Sequence, residues 1–138
     1  MIRKILVAYD GSDPAMKAFE FAADIARRYQ GELFVLTVAQ VPEFADDVEV
    51  EAIIEHSSAY HQKLLDGLHD RVAGLGIPAH LKLAVGHPAR VILEHANTLG
   101  IDLIVLAHRG RGVLDRWRLG SVTHRVISYA ECPVTVVR

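Results

Sequence analysis

Apolar residues follow two patterns in this chain: short, nearly continuous runs and longer stretches with helical spacing. The runs, with a more mixed stretch at 80–85, predict strands at residues 5–8, 33–38, 80–85, 103–106 and 134–137. The helical spacing predicts helices after residue 13, from about 48 to 72, after residue 88 and from about 121 to 130. Continuous apolar runs are typical of strands that are covered on both faces.

Strands and helices alternate from one end of the chain to the other. This alternation predicts an α/β fold with a parallel sheet and right-handed crossovers. The 138 residues, 51% of them hydrophobic, fit one compact domain that spans residues 1–138. Within it, Asp13 followed by Pro14 predicts the start of the first helix, with Asp13 as its N-cap.

Composition excludes several classes of partner and location. The net charge of -2 gives no argument for binding nucleic acid or an anionic membrane. No apolar run approaches the roughly 18 residues of a membrane span, and the first residues enter a strand directly. We therefore expect a cytosolic protein.

Cys132 is the single cysteine, and we expect a packed, inert thiol there.

Charge is concentrated in two segments. Six acidic residues and no Lys or Arg lie between residues 42 and 60, and this acidic segment has two open roles, gating a pocket or contacting a partner. Between residues 108 and 125, five arginines face a single acid, and several of them alternate with glycines beside the 103–106 strand. Arginine and glycine in this arrangement favour phosphate binding.

The loop after residue 106 is the candidate anion site, because it leads from a buried strand to a helix N-terminus. It contains no Gly-Lys-Ser/Thr triplet, which excludes a P-loop. Asp115 stands where a dinucleotide fingerprint needs its third glycine. What remains is a spacing: Ala107, then Gly110 three residues later, then nine residues before Gly120 and Ser121.

This spacing resembles the Gly-x2-Gly-x9-Gly-Ser/Thr nucleotide-binding signature of the universal stress protein family, in its ATP-binding branch. The resemblance covers the whole chain and includes four other segments. They are the opening strand with Tyr9-Asp10-Gly11-Ser12, the Gly86-His87-Pro88 turn, Asp102-Leu103-Ile104-Val105, and Cys132-Pro133-Val134 before the last strand.

The resemblance implies a Rossmann-like fold, an open five-stranded parallel sheet of order 3-2-1-4-5 flanked by helices. It implies that ATP, or AMP or ADP, lies across the carboxyl ends of strands 1 and 4. Ala8 and Asp10 then correspond to contacts with adenine and ribose, and Val38 lies on the adenine side. A divalent ion, Mg or Mn, would arrive with the phosphates and complete its coordination with water.

On the phosphate side, the resemblance makes Ala107 and Gly110 backbone contacts to ribose and phosphate. Gly120, Ser121 and Val122 correspond to the phosphate cradle. Glycine allows close approach of backbone N–H groups, and the helix dipole that begins there favours negative charge. The remaining candidate cofactor-binding residues are Tyr9, Leu106, Arg109, Arg111 and Gly112.

Several residues allow more than one interpretation. Ala107 replaces the signature's first glycine, and its methyl is harmless only if that position needs neither positive φ nor close ligand approach. Asp10 either contacts ligand or caps its turn. We expect Trp117 to pack the loop onto the body. His56 and His61, five residues apart on a helix, diverge, so we expect surface or packed histidines rather than metal ligands.

The function expected from these observations is adenine-nucleotide binding by a stress-response sensor or regulator, with an unidentified protein partner. We expect at most slow hydrolysis, because no third group can be named to orient Ser121 and His124. The alternative is a homodimeric interaction module that has lost the nucleotide. The family resemblance implies a dimer through the last strand in either case, since a valine-rich edge otherwise leaves backbone groups unpaired.

Overall fold

The computed structural model describes residues 1–40, 46–110 and 119–138. The strands in these ranges are β1 (Lys4–Ala8), β2 (Glu32–Ala39), β3 (Ala79–Val85), β4 (Leu103–Ala107) and β5 (Val134–Val137). The helices are α1 (Asp13–Arg28), α2 (Asp47–Asp66), α3 (His69–Ala73), α4 (Pro88–Leu99) and α5 (Ser121–Tyr129).

The strands form one parallel sheet of order β3-β2-β1-β4-β5, which confirms the expected fold class and strand order. β1 is central: Leu6 is paired with Phe34 of β2 on one side and with Ile104 of β4 on the other. The chain moves outward in one direction from β1 to β3 and in the other from β4 to β5. The carboxyl ends of β1 and β4 therefore flank the switch point, where open α/β sheets have a crevice.

Helices cover both faces of the sheet. Successive strand residues point to opposite faces, so each strand contributes to two separate cores. Val7 and Val105 belong to the core on the face covered by α1 and α2. Leu6 and Ile104 belong to the core on the face covered by α4 and α5. All four side chains are fully buried. The continuous apolar runs of the sequence thus reflect strands buried on both faces.

The first helix begins as expected, but its N-cap is Ser12 rather than Asp13. Ser12 has extended backbone angles, and its Oγ accepts a hydrogen bond from the Ala15 N–H at 3.2 Å. Asp13 is the first helical residue, where a carboxylate interacts favourably with the helix dipole. The prediction of Asp13 as N-cap was wrong by one residue, since either side chain can cap a helix.

The single helix expected from 48 to 72 is two helices, α2 and α3. α2 begins with a capping box, in which Asp46 and Glu49 each accept a backbone N–H of the other. Gly67 ends α2, and the Leu68 N–H donates to Leu65 O at 2.9 Å, a tighter turn than the α-helix makes. Leu65 and Leu68 are both buried, which explains why the apolar pattern runs through the break.

Side-chain and backbone hydrogen bonds fix the two ends of the sheet. At the amino end, Asp102 Oδ2 accepts the N–H groups of Arg3 at 3.0 Å and Lys4 at 2.9 Å. The bonds from Lys4 and Arg3 lower the pKa of Asp102 below its ordinary value. At the carboxyl end, the His108 N–H donates to Val137 O at 3.0 Å, so β5 holds the residue that follows β4.

Candidate functional site

A cavity of about 470 Å³ opens at the carboxyl end of the sheet, at the switch point. Ala8 of β1, Val38 of β2 and Ala107 of β4 line it from below. Its volume lies within the roughly 300–1,000 Å³ of small-molecule sites. The cavity is therefore large enough for a nucleotide-sized ligand.

The candidate residues from sequence analysis meet at this cavity wherever the structure describes them. The predicted residues that line it are Ala8, Tyr9, Asp10, Val38, Leu106, Ala107, Arg109, Gly110, Gly120, Ser121 and Val122. Arg111 and Gly112, also predicted, lie outside the described residues, as does Trp117. The structure thus brings together residues from four described segments of the chain, 8–10, 38, 106–110 and 120–122.

The turn after β1 is held by hydrogen bonds to its own residues and to β2. Asp10 Oδ1 accepts the N–H of Ser12 at 2.9 Å and its hydroxyl at 2.5 Å. The Thr37 hydroxyl donates to Tyr9 O at 2.8 Å, and the Tyr9 N–H donates to Leu36 O at 2.9 Å. Asp10 therefore caps its turn, the structural role considered above, while also lining the cavity.

Gly110 packs closely against the carboxylate of Asp10. A Cβ at position 110 would lie 2.9 Å from Asp10 Oδ2, closer than side-chain Cβ atoms approach other atoms. The backbone of Gly110 is not in the positive-φ region. The signature's second glycine is thus explained by close packing of two cavity segments.

Gly120 brings the start of α5 against the segment that follows β4. Its N–H donates to His108 O at 2.8 Å, and a Cβ there would lie 3.3 Å from Arg109 Cα. Gly120 is the N-cap of α5 and has no capping side chain. The N–H groups of the first turn of α5 can therefore serve an anionic group. We call Ala107, Gly110, Gly120 and Ser121 the glycine wall of the cavity.

Ala107 causes no backbone strain where the signature has glycine. It is the last residue of β4 and pairs with Val137 of β5. Its φ is not positive, since Gln30 is the one non-glycine residue with positive φ among those described. Its carbonyl accepts the Thr123 hydroxyl at 2.7 Å, which ties α5 to the end of β4. The first of the two conditions under which the methyl would clash is therefore absent.

The opposite wall comes from α2 and was missed by sequence analysis. Ser57, Tyr60 and His61 line the cavity, and we call them the α2 wall. His61 was expected to be a surface or packed histidine, and the structure places it in the lining of the cavity. His56, on the same helix, is exposed. The one sequence signal was the spacing of Ser57 and His61, four residues apart on one helix face. That spacing alone does not indicate which face meets the cavity.

Metal and thiol chemistry receive no support within the described residues. They contain no group of three or more His, Cys, Asp or Glu side chains placed to hold a metal ion. Cys132 is half-buried, and burial raises the pKa of its thiol. The thiol is therefore neutral at physiological pH, in agreement with the expected packed side chain. Within the described ranges, no helix is both long and apolar enough to cross a membrane.

The chain is similar over its whole length to proteins of one family. The whole chain, residues 1–138, matches the model of the universal stress protein family. The universal stress protein YxiE of Bacillus subtilis is 37% identical over 153 aligned residues, covering 100% of both chains. The solved structure of universal stress protein UspA from Lactobacillus plantarum has a TM-score of 0.89 and 30% identity, covering 99% of this chain and 97% of that one.

A solved structure of lower sequence identity contains a bound nucleotide. It is a universal stress protein family protein from Arabidopsis thaliana with AMP bound, at a TM-score of 0.68 and 22% identity. The match covers 98% of this chain and 90% of that chain. At this identity the likeness shows the shared fold.

Proposed function

This chain belongs to the universal stress protein family, and we propose that it is a cytosolic sensor or regulator that binds ATP or a related adenine nucleotide. The observation that carries the proposal is that the glycine wall and the turn after β1 line the same cavity. Adenine and ribose would lie near Ala8, Asp10 and Val38. The phosphates would lie at the glycine wall, where α5 begins without a capping side chain.

The residues present fit a nucleotide. Gly110 and Gly120 allow cavity segments to pack closely, since a Cβ would lie 2.9 Å from Asp10 Oδ2 at Gly110 and 3.3 Å from Arg109 Cα at Gly120. Backbone N–H groups at such a place can approach phosphate oxygens closely. Leu36 and Ile92 give the cavity apolar surface for a base. The AMP bound to the Arabidopsis protein of the same fold supports an adenine nucleotide.

The proposal includes Mg or Mn bound through the phosphates and at most slow hydrolysis. Nucleotide oxygens and water would supply the coordination of this ion, as is usual for Mg²⁺ bound with a nucleotide. Catalysis by Ser121 would need a base that is itself oriented by a third group. Turnover much above background would contradict this part of the proposal.

Calorimetry with ATP and magnesium tests the proposed binding. We expect saturable binding by the wild type and none by Ser121→Trp, because the indole would fill the phosphate side of the cavity. Ser128→Trp is the matched control: Ser128 is exposed on the same helix and outside the cavity lining. No binding of ATP, ADP or AMP by the wild type would refute the proposal.

The second candidate function is a homodimeric interaction module that lacks the nucleotide. β5 favours a dimer in both cases, because it is a valine-rich strand at the edge of the sheet. Light scattering should give twice the chain mass at micromolar concentration. Nucleotide released by acid from the purified protein separates the two candidates: its presence supports the first, and a clean dimer that also fails to bind added nucleotide supports the second.

A further inference from the structure

The α2 wall stands at the base end of the proposed nucleotide site, not at its phosphate end. α2 packs against β2 and β3, whereas the glycine wall lies over β4 and α5. Val38, beside which the base would lie in the proposed site, is on β2, one of the strands that α2 packs against. A nucleotide with its phosphates at the glycine wall would therefore extend its base towards Ser57, Tyr60 and His61.

The hydrogen bonds of His61 determine what it can offer a ligand. Its Nδ1 lies 2.7 Å from Ser57 O and 3.3 Å from Ser57 Oγ. A carbonyl oxygen can only accept, so Nδ1 carries the hydrogen. In the neutral imidazole, Nε2 is then an acceptor. The Tyr60 ring packs edge-on against the imidazole, with 5.2 Å between centroids and planes at 88°, which restricts its rotation.

We propose that His61 Nε2 accepts a hydrogen bond from the 6-amino group of a bound purine and so selects adenine nucleotides. The inference rests on the proposed nucleotide site and adds its base selectivity. An acceptor at this place repels phosphate oxygens, which also carry lone pairs, so His61 is suited to the base and not to the phosphates. Sites that hydrogen-bond a ligand group discriminate against analogues that lack it, because a buried polar group then stays unpaired.

The test compares ATP with purine riboside 5′-triphosphate, which lacks only the 6-amino group, by calorimetry with magnesium. The wild type should prefer ATP. In His61→Leu, ATP affinity should fall about fivefold and analogue affinity should stay unchanged, the size expected for one hydrogen bond. His61→Gln retains an acceptor and should recover part of the preference for ATP.

His56→Leu serves as the control, because it changes an exposed histidine on the same helix and should keep the wild-type preference. Thermal unfolding of each variant checks that the fold is intact.

The outcomes separate the two proposals. An equal loss of affinity for both nucleotides in His61→Leu, or no loss for either, overturns the role of His61 in base selection and leaves nucleotide binding standing. Failure of the wild type to bind either nucleotide overturns both proposals. A selective loss for ATP, with the preference kept in His56→Leu, supports the assignment.

Discussion

The two walls of the cavity are built from different parts of the polypeptide. The glycine wall is mostly main chain, and its close contacts depend on the missing side chains of Gly110 and Gly120. The α2 wall consists of the side chains of Ser57, Tyr60 and His61. Main-chain groups are the same in every residue, so they suit the common phosphates of nucleotides. Side chains differ between residues, so they suit the base, which is the part that differs between nucleotides.

The largest expected effect comes from Gly110→Val in the glycine wall. The new Cβ would lie 2.9 Å from Asp10 Oδ2, so either the Asp10 carboxylate or the backbone at residue 110 must shift. Overpacking of this kind costs about 1–3 kcal/mol of folding stability. Displacement of Asp10 or Gly110, which both line the cavity, should lower ATP affinity by up to about a hundredfold, or about 3 kcal/mol of binding free energy. Calorimetry measures this change in ATP affinity. Gly74→Val is the control, since a Cβ there meets nothing closer than 3.5 Å; similar ATP affinities for the two variants would remove the special role of the glycine wall.

A smaller effect is expected when the glycine wall loses its tie to α5. Thr123→Val leaves Ala107 O without the hydroxyl that donates to it at 2.7 Å. Thr123 is 5% exposed, so we expect unfolding free energy to fall by about 1–3 kcal/mol, together with weaker ATP binding. Urea unfolding and calorimetry measure the two quantities. Thr98→Val, exposed on α4, should change neither, and an equal effect there would contradict the prediction.

Asp102, at the end of the sheet away from both walls, should affect stability without affecting binding. Its carboxylate holds two backbone N–H groups, so Asp102→Ala should lower unfolding free energy by about 1 kcal/mol at neutral pH. Because the folded-state pKa lies below the ordinary 3.8, this contribution is complete above 3.8 and is lost as the pH falls through the folded value.

Thermal unfolding of wild type and Asp102→Ala between pH 7 and pH 2 follows this loss. The difference between the two proteins should shrink only in the acid range. Asp70→Ala, at an exposed carboxylate, is the control. A change in ATP affinity of Asp102→Ala would mean that the cavity and the amino end of the sheet are not independent.

The smallest effect is expected for Ala107→Gly, which restores the signature glycine. Since Ala107 has an ordinary strand backbone, glycine should lower unfolding free energy by about 0.5–1 kcal/mol through its greater freedom in the unfolded chain. ATP affinity should stay within about twofold, a change of under about 0.5 kcal/mol. A large gain in affinity would show that the methyl approaches the ligand, and it would contradict the prediction.

The same contrast explains what could be predicted from the sequence. Strand order followed from the family resemblance, and the glycine wall followed from residue types at a fixed spacing. The α2 wall could not be predicted, because it depends on which face of α2 meets the cavity. That face is fixed by the start of α2 at Asp47 and by burial of Leu65, neither of which periodicity locates to within one residue.

Smaller errors have related causes. Ser12 and Asp13 are both good capping residues, and a backbone shift of one position decides between them. The break between α2 and α3 lies under a continuous apolar pattern. For the acidic segment, the described part shows one structural role, the capping box of Asp46 and Glu49, while the choice between gating and partner contact stays a prediction.

The bond between the His108 N–H and Val137 O has a practical consequence for labelled forms of this protein. Because the strands are parallel, β1 starts at one end of the sheet and β5 finishes at the other. A fluorophore or affinity tag attached after residue 138 would therefore lie near the cavity, directly after the strand that holds the residue at its edge. The same group attached before residue 1 lies a full strand length away, which makes the amino terminus the better point of attachment for binding assays.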